Sequence, residues 1–333
     1  MIGHSNYSAT AVAHPSLALV KYWGKERTGI NIPATASLGV SLAALTTTTT
    51  VTLSDGDSVT VDGRRLDGER GLARFVPVFE ALRQELAEPN GLPADFGFEV
   101  VSKNDFPTAA GLASSASGFA ALVTAACAAA GRGAVSKRRR SEIARIGSGS
   151  AARSVFGGFV LWEAGAVGAV EFRDDRWWPS LRVVVLPVSE GPKGLSSRDG
   201  MNRTRDTSPY YPAWVADAPK LVAACRDAVE KRDLDVLGPI MRRSYLRMFG
   251  TMLAADPPVL YWLPATLAVL HRLDALRAQG IPVWETMDAG PQVKVFTTEE
   301  HVPALLESCS ALCTADPIVS TVGGPARVVE GSP

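Results

Sequence analysis

The stretch Pro-Thr-Ala-Ala-Gly-Leu-Ala-Ser-Ser-Ala at residues 107–116 is a loop of small residues that opens onto an alanine-rich run. The run continues to Ala130 and stops at Gly131, which predicts a buried helix beginning near Ser114. The first amides of a helix lack internal partners and the dipole there is positive, so small residues at this end let an anion bind. The stretch therefore predicts a phosphate site with the hydroxyls of Ser114 and Ser115 near phosphate or Mg²⁺. An N-capped core helix explains the same residues equally well.

Composition places the chain among folded globular proteins. It has 333 residues, of which 46% are hydrophobic and 20% charged, and this suggests two domains or one large domain. Its 34 basic and 34 acidic residues balance, whereas a nucleic-acid-binding protein normally carries an excess of Lys and Arg. The basic run at 137–140 precedes a helical pattern and predicts a solvated helix start. We therefore expect no nucleic-acid partner.

Cysteine usage and hydropathy predict a cytoplasmic protein without a membrane partner. The N-terminus lacks the charged start and unbroken apolar run of a signal peptide. The longest apolar segment, at 119–130, is too short to span a bilayer. No CxxC pair and no His/Cys cluster of zinc-site spacing occurs, so we expect four reduced thiols, at Cys127, Cys225, Cys309 and Cys313.

Strand and helix signals follow each other without strict alternation, which favours an α+β architecture over a doubly wound parallel sheet. The β-branched run at 46–53 predicts a strand, and 58–61, beyond a Ser-Asp-Gly-Asp turn, predicts its hairpin partner. After about residue 188 the texture changes, and we predict two domains, at 1–188 and 189–333. The second domain begins with a polar, loop-like segment at 193–212, followed by helices at 214–231, 234–253 and 263–278.

Five separated segments combine small residues with charged or hydroxyl side chains. Arg grips a carboxylate or phosphate with two parallel hydrogen bonds and Lys supplies a point charge, so the segments form an anion-binding pocket if they converge. A carboxylate among such cations stays ionised. Each segment also has a purely structural interpretation, as a helix break, a surface turn, a turn cap or the end of an edge strand. The segments are 21–25, with Lys21 and Lys25; 107–116; 147–154, with Arg153; 196–201, with Arg198; and 286–291, with Asp288.

Seven segments closely resemble the mevalonate diphosphate decarboxylase family, within the superfamily of galactokinase, homoserine kinase, mevalonate kinase and phosphomevalonate kinase. The resemblance implies a two-domain, small-molecule-kinase-like α+β fold, with ATP and substrate in a deep cleft between an N-terminal and a smaller C-terminal domain. It also implies ATP and Mg²⁺ as cofactors, a phosphorylated 3-hydroxy acid as the small-molecule partner, and a homodimer. The matching segments span most of the chain in family order, at 19–25, 31–33, 106–121, 145–159, 196–201, 207–209 and 287–291.

The resemblance also implies a reaction and its catalytic residues. The family converts mevalonate 5-diphosphate to isopentenyl diphosphate in an ATP-dependent decarboxylation that begins with phosphorylation of the 3-hydroxyl. By matching position, Asp288 lies beside that hydroxyl, Arg153 holds the carboxylate and Lys21 neutralises the transferring phosphoryl group.

Further positions match residues of the family that surround the ligands. The substrate diphosphate is expected near Tyr22, Lys25, Ser148, Gly149, Ser150, Ser197, Arg198 and Met201. The ATP phosphates are expected near Pro107, Ala110, Gly111, Leu112, Ala113, Ser114 and Ser115, with Ser115 also at Mg²⁺.

Several polar positions depart from the family pattern, in which Asn or His is usual. The departures leave open a related ATP-dependent decarboxylase of another 3-hydroxy acid, such as mevalonate 5-phosphate. A plain small-molecule kinase is a weaker alternative because it needs no carboxylate clamp. A non-catalytic relative is weaker as well, because such a protein would be expected to lose Asp288 first. The changed positions are Ser16, Thr35, Ser244, Phe249 and Gln292.

Overall fold

The structure is a computed structural model that describes residues 7–27, 30–90, 92–93, 95–106, 114–131, 135–191 and 194–329. It mixes helices and sheets, as the α+β prediction expects. The strands are β1 (Ser8–Ala13), β2 (Ser16–Val20), β3 (Ser37–Ser41), β4 (Thr47–Ser54), β5 (Ser58–Val61), β6 (Arg64–Arg65), β7 (Gly97–Asn104), β8 (Phe159–Trp162), β9 (Val170–Arg173), β10 (Leu181–Leu186), β11 (Trp284–Thr286), β12 (Val293–Thr298), β13 (Ile318–Ser320) and β14 (Arg327–Val328).

The helices follow the same chain order. Pro77 falls in the first turn of the second helix, where its missing amide costs nothing. The helices are α1 (Gly68–Leu72), α2 (Val76–Asn90), α3 (Ser114–Ala129), α4 (Lys137–Gly147), α5 (Ala151–Ser154), α6 (Ser197–Thr207), α7 (Tyr211–Lys231), α8 (Leu234–Leu253), α9 (Pro264–Ala278) and α10 (Val302–Cys309).

The threonine-rich run forms a strand with one buried face. Along β4, Thr47, Thr49, Val51 and Leu53 are buried, and the residues between them are partly or fully exposed. This alternation has the period of two expected of a half-buried strand. Helix α3 covers the sheet formed by β1 and β4, and it is buried along most of its length. The start of α3 is thereby held at one end of this sheet.

The predicted hairpin between 46–53 and 58–61 is wrong. The six-stranded sheet has the order β14-β1-β4-β7-β5-β6, so β7 lies between β4 and β5. Strand β7 is antiparallel to β4 and parallel to β5. A turn sequence reports only the local reversal of the chain, and a strand that arrives some forty residues later inserts into the gap. The antiparallel partner of β5 is β6.

The segment 193–212 is not a loop throughout, because it contains helix α6. The Oγ of Ser196 accepts a hydrogen bond from the backbone amide of Asp199 at 3.1 Å and donates one to its carboxylate at 2.6 Å. This arrangement resembles a capping box, and the order Ser196-Ser197-Arg198-Asp199 has the spacing of that motif. Gly200 and Thr204 are the buried residues of the helix, so its polar composition reflects a largely solvated surface.

Two four-stranded sheets complete the fold, with the orders β11-β12-β10-β13 and β2-β3-β8-β9. Strand β10 pairs with β12 and β13, which both follow residue 188, and β14 returns to pair with β1. The chain therefore crosses between its halves more than once. The division into 1–188 and 189–333 stays a prediction.

The structure can be compared with the expected solvated helix start at 137–140 and with the expected reduced cysteines. The run 137–140 begins α4, and its first three side chains are exposed, which confirms a solvated helix start. The four cysteines are free thiols. Across the described residues, no helix combines the length and apolar character that crossing a membrane requires.

A buried ionic cluster supports the sheet that carries β11. Glu285 is fully buried, and its two oxygens lie 2.8 Å from Nε of Arg242 and 2.7 Å from Nη1 of Arg277. The hydroxyl of Tyr245 donates to the same carboxylate at 2.8 Å. Because a buried charge is costly without partners, each member of this cluster depends on the others.

We expect Glu285→Gln to lower the free energy of unfolding by about 3 kcal/mol, because it removes the buried carboxylate shared by two guanidinium groups and leaves them only the half-exposed Asp274. Denaturant unfolding at neutral pH measures the change. The matched control is Glu80→Gln on the exposed face of α2, which should change stability by no more than about 0.5 kcal/mol. Equal unfolding midpoints for the two variants would contradict a stabilising role of the cluster.

Candidate active site

One cavity of about 550 Å³ collects residues from all five of the segments singled out in the sequence. Its walls come mainly from β2 and the segment after it, the start of α3, the turn between α4 and α5 with α5 itself, the start of α6, and the turn after β11, and Asn31, Arg74 and Met248 complete them. All of the expected site residues that the structure describes line it: Lys21, Tyr22, Lys25, Ser114, Ser115, Ser148, Gly149, Ser150, Arg153, Ser197, Arg198, Met201 and Asp288. The expected phosphate-loop residues Pro107, Ala110, Gly111, Leu112 and Ala113 lie outside the described residues.

A buried ion pair crosses the cavity floor between Lys21 and Asp288. The Nζ atom of Lys21 donates to Oδ1 of Asp288 at 2.9 Å and to the carbonyl of Ala18 at 2.7 Å. The amide of Lys21 is held by Oγ of Ser244 at 2.9 Å. Burial lowers the pKa of Lys21 to about 8, even though Asp288 acts in the opposite direction. The lysine is therefore fixed in place and mostly protonated at neutral pH.

Asp288 has a second cation behind it. Lys294, on β12, places its Nζ atom 3.8 Å from Oδ2 of Asp288. Burial by itself would raise the pKa of the carboxyl group, but the charges of Lys21, Lys294 and Arg153 outweigh it and hold the pKa below the ordinary value. Asp288 is consequently a carboxylate, and its side chain is still 28% exposed to the cavity.

Arg153 is a buried cation with hydroxyl partners. Its Nε donates to Oγ of Ser16 at 3.2 Å, and its Nη1 donates to Oγ of Ser37 at 2.7 Å. No carboxylate of the described chain lies within ion-pair distance of the guanidinium. Burial lowers the pKa of Arg153 to about 10, which leaves it protonated. A buried, oriented guanidinium of this kind is suited to an anionic ligand.

Gly39 makes room for this arginine. A Cβ atom at residue 39 would lie 2.7 Å from Oγ of Ser16 and 2.8 Å from Nε of Arg153. Both distances are shorter than real Cβ contacts, and the strand backbone on which Gly39 lies cannot retreat easily. The absence of a side chain at residue 39 thus sets the position of the guanidinium.

Further cations make the cavity wall positive. Lys25 is buried, and its pKa is lowered to about 8 by burial, with added repulsion from Arg198 and Arg74. Arg74 was not expected at the site. It donates from Nε and Nη2 to the carbonyl of Gly147, at 3.1 and 3.0 Å. Because five cations and two acids line the cavity, it attracts anions.

Hydroxyl groups connect the start of α3 with the turn before α5. Oγ of Ser148 lies 3.2 Å from Oγ of Ser115 and 3.3 Å from Oγ of Ser150. The hydroxyl of Tyr22 is buried with no hydrogen-bond partner among the residues that the structure describes, and it rests against Gly149, where a Cβ atom would lie 2.8 Å away. These groups can donate to oxygens of a ligand that enters the cavity.

The positions that depart from the family pattern fall mostly behind the cavity wall. Ser16 lines the cavity, and Ser244 supports the backbone of Lys21. Phe249 packs against Trp262 with ring centroids 5.0 Å apart. Gln292 bonds the amide of Val188 and the carbonyl of Ser189 through its side chain. The hydroxyl of Thr35 is buried and finds no hydrogen-bond partner in the described part of the chain.

Several lining residues were not expected. Ser196 and Asp199 belong to a segment singled out in the sequence, and their capping pattern was a usable signal. Asn31 donates to the carbonyls of Arg145 and Ile146 and was visible only within a matching segment. Arg74 belongs to none of the sequence motifs. It reaches the cavity from the break between α1 and α2. The other unexpected lining residues are Ala18, Trp23, Met248 and Ala289.

Comparison with known proteins agrees with this geometry. A family model described as the diphosphomevalonate decarboxylase-like N-terminal domain matches residues 13–171, and the mevalonate 5-diphosphate decarboxylase C-terminal domain matches residues 183–326. The diphosphomevalonate decarboxylase of Ganoderma lucidum is 36% identical over 327 residues, which cover 91% of this chain and 81% of that protein. The chain belongs to the diphosphomevalonate decarboxylase family. The family resemblance seen in the sequence is therefore confirmed.

Other members of the diphosphomevalonate decarboxylase family match in sequence and in fold. The Saccharomyces cerevisiae enzyme is 33% identical over 315 residues, which cover 89% of this chain and 79% of that protein. The crystal structure of mevalonate diphosphate decarboxylase from Staphylococcus aureus superposes with a TM-score of 0.88 at 32% identity, over 97% of this chain and 98% of that one. A structure of MDDEF in complex with MVAPP, AMPPCP and magnesium also has a TM-score of 0.88, at 35% identity, over 98% of this chain and 99% of that one. The expected small-molecule-kinase-like α+β fold is confirmed.

The lowered pKa of Lys25 predicts that anion binding weakens with rising pH. A lysine with a pKa of about 8 loses its proton between pH 7 and pH 9, so the cavity loses a positive charge. We expect the Kd for sulfate, a dianion throughout this range, to rise about tenfold between these pH values, as measured by titration calorimetry. Lys25→Met should bind sulfate more weakly and show a smaller pH dependence, the remainder coming from Lys21, whose pKa is also about 8. A wild-type Kd that stays constant with pH would contradict the assignment.

Proposed function

We propose that this chain catalyses the ATP-dependent decarboxylation of mevalonate 5-diphosphate to isopentenyl diphosphate. The observation that carries the proposal is that Lys21, Arg153 and Asp288 face one cation-rich cavity in a member of this family. The names of the relatives and the ligands of the similar solved structure support the same reaction.

In this proposal Asp288 acts on the 3-hydroxyl of the substrate. A carboxylate held ionised by Lys21 and Lys294 is a weak base but a good hydrogen-bond acceptor. It therefore orients the hydroxyl oxygen toward the γ-phosphorus of ATP and takes the proton as the new O–P bond forms. Lys21, which touches the same carboxylate, is placed to neutralise charge on the transferring phosphoryl group.

Arg153 is proposed to hold the substrate carboxylate. Its Nε and Nη1 are already bonded to serine hydroxyls, so the guanidinium orientation is set before an anion arrives. A fixed carboxylate keeps its C–C bond aligned with the breaking C3–O bond, which is the geometry that loss of CO₂ needs. A kinase that only phosphorylates a hydroxyl has no use for such a clamp.

The remaining cations and hydroxyls are proposed to bind two phosphate-bearing ligands, the substrate diphosphate and ATP. We assign the substrate diphosphate to Tyr22, Lys25, Ser148, Gly149, Ser150, Ser197, Arg198 and Met201. Ser114 and Ser115, at the start of α3, are assigned to the ATP phosphates. The hydroxyl of Ser115 fits Mg²⁺, since this ion takes oxygen ligands and is bound mainly through substrate phosphates. Bound Mg²⁺ supplies charge neutralisation at the phosphates.

The proposed reaction balances without a further reactant. The 3-hydroxyl oxygen bonds to the γ-phosphorus, the bond from that phosphorus to the bridging oxygen breaks, and ADP leaves. The C3–O bond then breaks with release of phosphate. The electron pair of the C–C bond to the carboxylate forms the double bond as CO₂ leaves. The leaving phosphate takes the proton that Asp288 accepted, and the restored carboxylate is proposed to stabilise the positive charge that develops at the carbon.

We also propose that the protein works in the cytoplasm, as its cysteine usage predicts, and that it forms a homodimer, as the family resemblance implies. Size-exclusion chromatography with light scattering measures the mass in solution, for which a dimer of the 35.2 kDa chain is expected. A single species with the mass of one chain would contradict the dimer.

With ATP, Mg²⁺ and mevalonate 5-diphosphate, the purified protein is expected to release CO₂ and ADP in equal amounts. We expect Asp288→Asn to lower kcat at least about 100-fold, because the hydroxyl loses its acceptor. The control variant Asp227→Asn, on the exposed surface of α7, should keep wild-type activity.

The products separate the alternatives. ADP without CO₂ identifies a small-molecule kinase. CO₂ only from mevalonate 5-phosphate or another 3-hydroxy acid identifies a related decarboxylase. Neither product from any of these acids, from a protein that still binds ATP, identifies a non-catalytic relative.

Gly39 provides a test of the arginine position in which no charged residue is replaced. We expect Gly39→Ala to lower kcat/KM for mevalonate 5-diphosphate at least about tenfold, because the new methyl group displaces the guanidinium of Arg153. Gly250→Ala in α8, where a Cβ atom meets nothing within 4 Å, is the matched control and should keep full activity. Equal steady-state rates for the two alanine variants would argue against a fixed Arg153 clamp.

A further inference from the structure

Lys294 is a buried lysine that the proposed chemistry leaves unassigned. It lies on β12 opposite Thr286 of β11, two residues before Asp288, and its side chain is 2% exposed. Its Nζ atom lies 3.8 Å from Oδ2 of Asp288 and 3.5 Å from the backbone carbonyl of Gln292. Asp288 is the one carboxylate of the described chain within ion-pair distance of this ammonium group.

The two lysines approach Asp288 from different directions. Lys21 contacts Oδ1 and lines the large cavity, whereas Lys294 faces Oδ2 and is absent from that cavity's wall. Lys294 instead lines a separate hollow of about 10 Å³, together with Asp288, Pro15, Ser16, Leu17, Leu42 and Leu45. A hollow of this size holds roughly one water molecule. Lys294 therefore lies behind the carboxylate, away from the space available to a ligand.

Packing alone does not explain a lysine at this position. The hollow is lined largely by apolar side chains, and burying an ammonium group costs free energy unless it is paired. An unbranched apolar residue such as Met would fill the same volume without that cost. The contact with Asp288 is the feature of this position that only a cation supplies.

We propose that Lys294 is a positioning residue that holds Asp288 as an oriented carboxylate, with Oδ2 turned toward β12 and the group directed at the substrate hydroxyl. This inference rests on the proposed function, in which Asp288 contacts the 3-hydroxyl. Lys294 acts through Asp288 and does not touch the substrate. Without it, Lys21 would have to neutralise Asp288 and also serve the transferring phosphoryl group.

The groups that face Asp288 define the expected pH effect. They are Lys21, which follows β2, Arg153 of α5, and Lys294 of β12, and all three favour the ionised form. Burial favours the neutral form. Removing one cation shifts this balance and raises the pKa of Asp288, so its active, ionised form is lost at a higher pH than in the wild type.

The test compares Lys294→Met with Lys220→Met, a lysine on the exposed surface of α7. We expect Lys294→Met to lower kcat about tenfold or more and to move the acidic limb of the kcat profile to higher pH. The KM values for ATP and mevalonate 5-diphosphate should change less than about threefold, because Lys294 does not line the large cavity. Lys220→Met should match the wild type in every parameter.

A folded Lys294→Met protein with wild-type kcat and an unmoved acidic limb overturns the proposal. If Lys294→Met does not fold, Lys294→Arg and Lys294→Gln replace it. The arginine variant must then retain the wild-type acidic limb and the glutamine variant must lose it, and the opposite result overturns the proposal. Failure of the proposed function is seen separately, since the wild type and Lys220→Met would then release no CO₂ from mevalonate 5-diphosphate.

Discussion

The ion pair between Lys21 and Asp288 joins two segments that are 267 residues apart in the chain, and the site is built around it. Both groups are largely removed from water, so each makes the burial of the other affordable. The pair fixes the turn after β11 against the end of β2. It also sets the chemical state of both groups, because Asp288 keeps Lys21 protonated and Lys21 keeps Asp288 ionised.

Charge imbalance surrounds this pair. Lys25, Arg153, Arg74 and Arg198 line the same cavity, and the two acids there, Asp199 and Asp288, do not balance them. Such an excess is costly in an empty protein, because like charges repel and buried cations are poorly hydrated. Anionic ligands relieve that cost, so affinity for phosphates and carboxylates follows from the arrangement itself. The pKa values of Lys21 and Lys25 are lowered for the same reason, because burial and neighbouring cations disfavour the protonated form of each lysine.

Neutral residues set the positions and orientations of these charged groups. Gly39 leaves room for the guanidinium of Arg153, and the hydroxyls of Ser16 and Ser37 fix its orientation. Ser244 holds the backbone at Lys21. Of the five positions that depart from the family pattern, Ser16 alone belongs to the wall of the large cavity within the described chain. Ser244 contacts the backbone of Lys21 and Gln292 contacts the backbone at 188–189, whereas Phe249 packs against Trp262.

Local sequence patterns determined several secondary-structure elements of this protein and part of its site. The run of β-branched residues predicted the strand at 47–54, and helical periodicity predicted helix α8 at 234–253. Family motifs predicted one site that contains Lys21, Arg153, Arg198 and Asp288. All three signals are properties of neighbouring residues. Tertiary structure decided the rest. The partner of β5, the arrival of Arg74 at the cavity and the contact of Lys294 with Asp288 each depend on chain segments that meet only after folding. A sequence pattern records the period of an element, whereas which elements come together depends on long-range packing that no short stretch of residues encodes.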